Sequence, residues 1–302
     1  MGLSLLAGPA NAGKVALLLE RYLARLDDEP LLIVPNASDV DRVERDLLAR
    51  CGCLFSGTIG TFDDVFRRLV RNDPEQRAVA TDAQRALVVR RVVASASLNG
   101  LSRSARTGGF ADTLLATVGE LEQGMLDPGD LDGDLARLYA AYRSELDRLA
   151  VWDRDLLRRR AAERLESDLD AWHGEPVFAY GFEDLTGAEW KVLSALAGRA
   201  EVEVSLPYEP GRVAFASLAR TADDLSALAD GRIEELGPRG SEYAHPALAH
   251  LERSLFADDV PEGPPPGSTV RFFEGAGTRS GGFSRTSRRG TASPSSPTAS
   301  RT

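Results

Sequence analysis

Lysine is almost missing from this chain: of its 36 basic side chains only Lys14 and Lys191 are lysines. That economy suits a protein rich in Arg, Ala, Gly and Asp, and it makes the position of each lysine informative. Cysteine is as scarce. Cys51 and Cys53 are separated by one residue, too close for an ordinary disulfide and without the second pair a structural zinc site needs, so they read as free, packed thiols. The three histidines, at 173, 245 and 250, are scattered. No acid-acid-lysine set and no cysteine cluster exists, so no catalytic or metal-binding centre can be named. Long apolar runs are absent too. Stretches such as "VALLL" and "LLIVP" fall well short of the roughly 20 residues of a membrane-spanning helix. The amino terminus has no basic start ahead of its apolar part, so no signal peptide is expected. A cytoplasmic protein without membrane contact follows.

Acid and apolar bulk are plentiful. A chain of 302 residues with 43% hydrophobic content suffices for one large or two modest domains. The net charge of −10 is uneven: residues 278–302 hold five Arg and no acid, leaving 31 basic against 46 acidic side chains on residues 1–277. An acidic body argues against non-specific wrapping of nucleic acid and leaves room only for a local basic groove.

One of the two lysines stands in "LLAGPANAGKVALLL", residues 5–19. Gly8, Gly13 and Lys14 fit the G-x-x-x-x-G-K spacing of a phosphate-binding loop between a strand-like and a helix-like apolar run. Gly8, Asn11, Gly13, Lys14 and Val15 are therefore the candidate nucleotide-binding positions, the backbone N–H groups and the following helix terminus cradling an anion and Lys14 acting as a point charge. The eighth position departs from the pattern. A working loop has Ser or Thr there to ligate Mg2+, and this chain has Val15.

Periodicity organises the rest. Strand signals at 3–8, 31–35 and 57–62 alternate with helical ones at 14–26, at 38–50 with Ser38 as N-cap, and at 63–71, which predicts a parallel sheet. Between about 75 and 170 strand signals stop, and four or five helices are expected as an all-helical insertion. The alternation returns with "PVFAYGF" (176–182), a helix at 186–198, "AEVEVSLPY" (200–208), helices near 217–229 and 245–256, and a strand at 268–276. The expected domains are a discontinuous α/β unit of residues 1–74 and 171–277, the insertion 75–170, and a disordered tail 278–302. That tail, with seven Ser, five Thr and five Arg, has the composition of out-of-frame GC-rich coding and is expected to reflect a frame change near residue 278.

The order of these signals resembles the amino-terminal helicase-like region of AddB, the nuclease-bearing subunit of the AddAB helicase-nuclease, within the wider RecB/RecC-related group. The resemblance rests on the loop at 8–15, a strand ending "VPN" at 33–36, "GTIGTFDDVFRRL" at 57–69, the helical insertion and "VFAYGFEDLTGAEWKVLSAL" at 177–196, and covers roughly residues 3–277. It implies a P-loop, superfamily 1 helicase-like fold. It also implies DNA-contacting roles for Asn36, Thr58, Thr61 and Phe62, since hydroxyls and amides bind phosphate oxygens and an aromatic ring stacks on a base. The residues themselves leave a second reading open, with Phe62 in the core and Thr61 capping the helix that begins at Asp63.

The chain departs from an active helicase at a second point. Where an acidic pair would follow the next main strand, Gly181 and Phe182 stand, and Glu183 and Asp184 come two residues late, a shift that changes where side chains point. The expectation is that ATP/Mg2+ binding is weak or lost and that this chain is inactive alone. By resemblance, it serves as a scaffold for an AddA-like helicase subunit and contacts single-stranded DNA. The family's exonuclease chemistry, its metal and its iron-sulfur cluster belong to a carboxy-terminal domain beyond this chain. Alternatives are an active ATPase with a substituted loop, Glu183 or Asp184 supplying the metal ligand, or an interaction protein with a vestigial loop.

Overall fold

The computed structural model describes residues 2–238, 245–256 and 262–263. The strand expected at 268–276 and the tail at 278–302 lie outside the described residues. Within them, the apolar runs form β1 (Gly2–Gly8), β2 (Leu31–Ile33), β3 (Thr58–Gly60), β4 (Ala78–Val79), β5 (Val151–Trp152), β6 (Val177–Tyr180), β7 (Glu201–Pro207) and β8 (Ile233–Glu235). Six of these build one parallel sheet in the order β3-β2-β6-β7-β1-β8. The pairing of β4 with β5, also parallel, departs from the sequence expectation. It sits inside the stretch that reads as purely helical, because two-residue strands carry no periodicity to detect.

Both faces of the sheet are covered, which the period-two alternation enforces. Leu6, Leu32, Val34, Phe178 and Tyr180 face one core together with Leu18, Leu19 and Tyr22 of α1 (Lys14–Ala24) and Val43 and Leu47 of α2 (Ala37–Cys51). Leu3, Leu5, Ile33, Val177, Val202 and Val204 face the other. There they meet α3 (Phe62–Val70) and three later helices described next. Connections stepping from β1 towards β3 pass over the first face and those returning towards β8 over the second, as right-handed crossovers require.

The helices between are α4 (Asp82–Ser95), α5 (Phe110–Gln123), α6 (Gly133–Arg148), α7 (Arg154–Ser167), α8 (Gly187–Ala197), α9 (Ala219–Ala229) and α10 (Pro246–Ser254). α4, α5 and α6 share a core of their own around Val89, Val118, Leu138, Tyr139 and Tyr142. α7 instead turns Ala161, Ala162 and Leu165 towards the sheet, with α8 and α9 beside it. Two buried polar knots join the three-helix core to α7. Tyr139 donates to Glu122 at 2.6 Å, and Glu122 accepts from Arg159 of α7 at 3.2 Å. Tyr142 donates to Asp153, the N-cap of α7, at 2.6 Å.

Caps locate the helix starts. Asp153 accepts from the N–H of Leu156 at 2.8 Å, and Thr186 and Glu189 close a capping box on α8. The start of α2 corrects the sequence reading. Asn36, not Ser38, is its N-cap, accepting from the N–H of Asp39 at 3.0 Å, because extended backbone persists only to residue 36. No helix among the described residues is long and apolar enough to cross a membrane.

Candidate nucleotide loop and neighbouring groove

The loop between β1 and α1 is built by backbone conformations few residues tolerate. Gly8 has φ 155°, and a Cβ there would lie 2.5 Å from the carbonyl oxygen of Leu236. Gly13 enters α1 with φ 88°, a left-handed turn that glycine adopts without strain. Asn11 is left-handed as well, at φ 59°, a region asparagine tolerates better than most residues. Its amide lies 3.3 Å from each oxygen of Glu252.

Lys14 is turned inward. Its Nζ donates to the carbonyls of Gly8 at 2.8 Å and Pro9 at 2.5 Å, and the side chain is only 6% exposed. Burial pulls its pKa down to about 8, since a desolvated ammonium loses hydration that its neutral form does not need. Val15, 39% exposed, offers only carbon where a metal would need oxygen. The cleft beside the loop, about 560 Å3, is lined by Glu209, Asp223 and Glu235 and by no basic side chain. Glu183 and Asp184 line a different cleft of about 700 Å3, with Trp190, Arg220 and Thr221. β7 lies between β6 and β1 in the sheet. Among the described residues no group of three His, Cys, Asp or Glu side chains could hold a metal ion.

A second site lies where β2, β3 and β6 end. Asn36, Thr61 and Phe62 are brought together there in a groove of about 560 Å3 that also takes in Pro35, Arg67, Arg158 and Phe182. Thr58 is not part of it. It lies at the opposite end of β3, beside Leu31, in a separate cleft with Phe55 and Arg71.

The roles of these side chains are partly local. Asn36 donates to Asp39 Oδ2 at 2.8 Å while capping α2. Both the N–H and the hydroxyl of Thr61 donate to Asp64 Oδ2, at 2.9 and 2.8 Å, and the Thr61 N–H, foremost, holds the Asp64 carboxyl below its ordinary range. Phe62 is 3% exposed and sits in the core, its ring against Phe66 and Phe182. In this arrangement its faces are covered, and the ring that borders the groove from a half-buried position is Phe182. Sequence reasoning counts Phe182 only as a missing acid. An aromatic residue directly after a strand and a left-handed Gly181 (φ 86°) is the signal that could have found it.

The groove is not a basic one. Asp41, Asp63, Asp64 and Glu189 line it alongside the two arginines, and both arginines are engaged, Arg67 with Asp64 at 2.9 Å and Arg158 with Asp63 at 2.8 Å. Its resources for a ligand are an aromatic ring, a hydroxyl and an amide, with little free positive charge.

No family model matches the chain. Two curated relatives do, both named as the AddB-type subunit of an ATP-dependent helicase/deoxyribonuclease. The one from Pelotomaculum thermopropionicum is 29% identical over 305 aligned residues, which cover 86% of this chain and 26% of the relative. Its counterpart of the same name from Desulforudis audaxviator is 27% identical over 323 aligned residues, 92% of this chain and 27% of the relative. The AddB-like resemblance is thereby borne out by relatives aligned along most of the chain, which spans about a quarter of their length.

Proposed function

We propose that this chain is the front, helicase-like region of an AddB-type subunit of a DNA-repair helicase-nuclease, in which the P-loop unit does not hydrolyse ATP and instead scaffolds a motor subunit and holds single-stranded DNA. The observation that carries the reading is the alignment to two proteins named for ATP-dependent helicase and deoxyribonuclease activity along most of this chain. The sheet supports the superfamily 1 assignment, because a parallel, doubly covered sheet presents its loops for ligands at the carboxyl ends of its strands. On this reading residues 1–74 and 171–277 are one discontinuous domain interrupted by 75–170, and the protein works in the cytoplasm beside an AddA-like partner.

Silence of the motor follows from donor chemistry. Mg2+ in a P-loop site needs the hydroxyl after the lysine and a carboxylate from a neighbouring strand end. Val15 lacks the first, and Glu183 and Asp184 face another cleft. These residues do not fit the ion. DNA contact is assigned to the groove of Asn36, Thr61 and Phe182, with stacking as its main resource.

Two measurements on the purified chain test this: steady-state ATP turnover with and without single-stranded DNA, and fluorescence anisotropy with a labelled oligo(dT). Binding without turnover is expected. Turnover that vanishes in Lys14→Ala would overturn the silent-motor reading in favour of a substituted ATPase. Absence of DNA binding would leave an interaction protein with a vestigial loop.

A further inference from the structure

The mouth of the phosphate loop is faced by a carboxylate from more than two hundred residues away. Glu252, on α10, lies with both oxygens 3.3 Å from the amide nitrogen of Asn11 at the crown of the loop. The helix that carries it is fastened to the segment after β7. Arg253 donates to both oxygens of Glu209, at 2.8 and 3.0 Å, and Arg212 donates to the backbone carbonyls of Glu252 and Arg253, each at 3.0 Å. Arg212 also pairs with Glu209 at 3.3 Å. The clamp is thus one carboxylate and two guanidiniums, and its product is a negative group held over a loop whose geometry suits anions.

That geometry is on the loop itself. Gly8, Asn11 and Gly13 hold the positive-φ conformations that turn the backbone around a small centre, and the positive end of α1 opens onto it. The loop's own cation does not reach the mouth, because Lys14 is bonded to the carbonyls of Gly8 and Pro9. The remaining acids nearby, Glu209, Asp223 and Glu235, line the adjoining cleft. An incoming polyphosphate would therefore meet Glu252 directly and would have to draw Lys14 outward.

We propose that α10 is an intramolecular cap on the phosphate loop: Glu252 and a polyphosphate anion compete for the mouth at Asn11, so the loop accepts polyphosphate only when α10 leaves its clamp on Glu209. This rests on the reading of residues 8–15 as a retained anion cradle and adds the regulation of that site. A partner that drew α10 away would open the loop, and hydrolysis is not required for the device to signal.

The test uses the full chain, with inorganic pyrophosphate and ATP as probes in separate metal-free titrations by calorimetry. Glu252→Gln removes the competing charge, and Arg253→Ala loosens the clamp without touching the loop. Each variant is expected to bind both probes roughly fivefold more tightly than the unaltered chain, the effect of one pair of unit charges about 4 Å apart in water. Adding Lys14→Ala to either variant is expected to erase the gain. Equal affinities across the three chains, no binding by any of them, or a gain that survives Lys14→Ala would overturn the cap. ATP turnover would instead sink the silent-motor reading and leave the cap standing, so the two failures are distinguishable.

Discussion

Phe182 meets Phe62 edge to face, the ring centroids 5.0 Å apart and the planes at 61°. The pair divides one aromatic wall into a buried half and a half that borders the groove. Phe62 closes the core beneath α3, and Phe182 rests on it with an edge towards solvent.

Replacement of these rings should therefore separate binding from stability. Phe182→Ala is expected to weaken oligo(dT) binding about tenfold, within the range of one lost base-aromatic stack, and Phe182→Tyr to retain it. Phe62→Ala is expected to cost about 3–5 kcal/mol of stability, the usual effect of emptying a buried aromatic site. Anisotropy and urea denaturation read the two effects, and unchanged affinity in Phe182→Ala would remove the ring from the DNA path.

Salt dependence should be shallow. Arg67 and Arg158 are already paired with Asp64 and Asp63, so few phosphates are neutralised on binding. For single strands each neutralised phosphate contributes about −0.7 to the slope of log K against log salt, and a slope no steeper than about −1.4 is expected. A steeper one would place the strand on another surface.

Lys14 should leave a mark on alkaline stability. Its pKa is about 8 in the folded chain and 10.5 ordinarily. Below about pH 8 both states hold the proton, and the folded state carries the full cost of burying it. Between about 8 and 10.5 only the unfolded chain holds the proton, so stability should rise with pH across this window. The rise is at most about 3 kcal/mol, by the linkage of 1.36 kcal/mol per pKa unit, and Lys14→Met should abolish it. Urea midpoints taken through the window check the sign.

The knot at Glu122 offers a second stability test. Its carboxylate is 1% exposed and is held by Tyr139, Arg159 and Arg143, at 2.6, 3.2 and 3.3 Å. Arg159→Ala strips one guanidinium from a buried anion and is expected to destabilise by about 3–5 kcal/mol. Glu122→Gln in the same chain should restore part of the loss, because it removes the unpaired charge. Thermal melts of the single and double variants decide this. A neutral Arg159→Ala would mean that Arg143 and Tyr139 suffice.

Much of the α/β pattern is legible in the residues. The alternation of strand and helix over 3–71 and 176–229 appears at nearly the expected places, because a sheet covered on both faces demands apolar runs and its crossover helices demand apolar stripes. The loop is legible for a similar reason, since glycine at 8 and 13 reports backbone conformation directly. The cap of α2 is not, because Asn36 and Ser38 are both good caps, and only the path of the chain out of β2 separates them.

The sequence by itself determined the local grammar: where helices and strands run, that the loop can turn back on itself, and that Val15 brings no oxygen to it. These are short-range consequences of sterics, side-chain periodicity and donor chemistry, and they hold whatever packs around them. Tertiary structure alone decided that Phe62 is covered while Phe182 borders the groove, that Thr58 lies away from Asn36 and Thr61, that Lys14 spends its charge on its own loop, and that Glu252 stands over Asn11. Each of those facts depends on strand order and helix docking between residues far apart in the chain, where many placements are compatible with the same local pattern and burial selects among them.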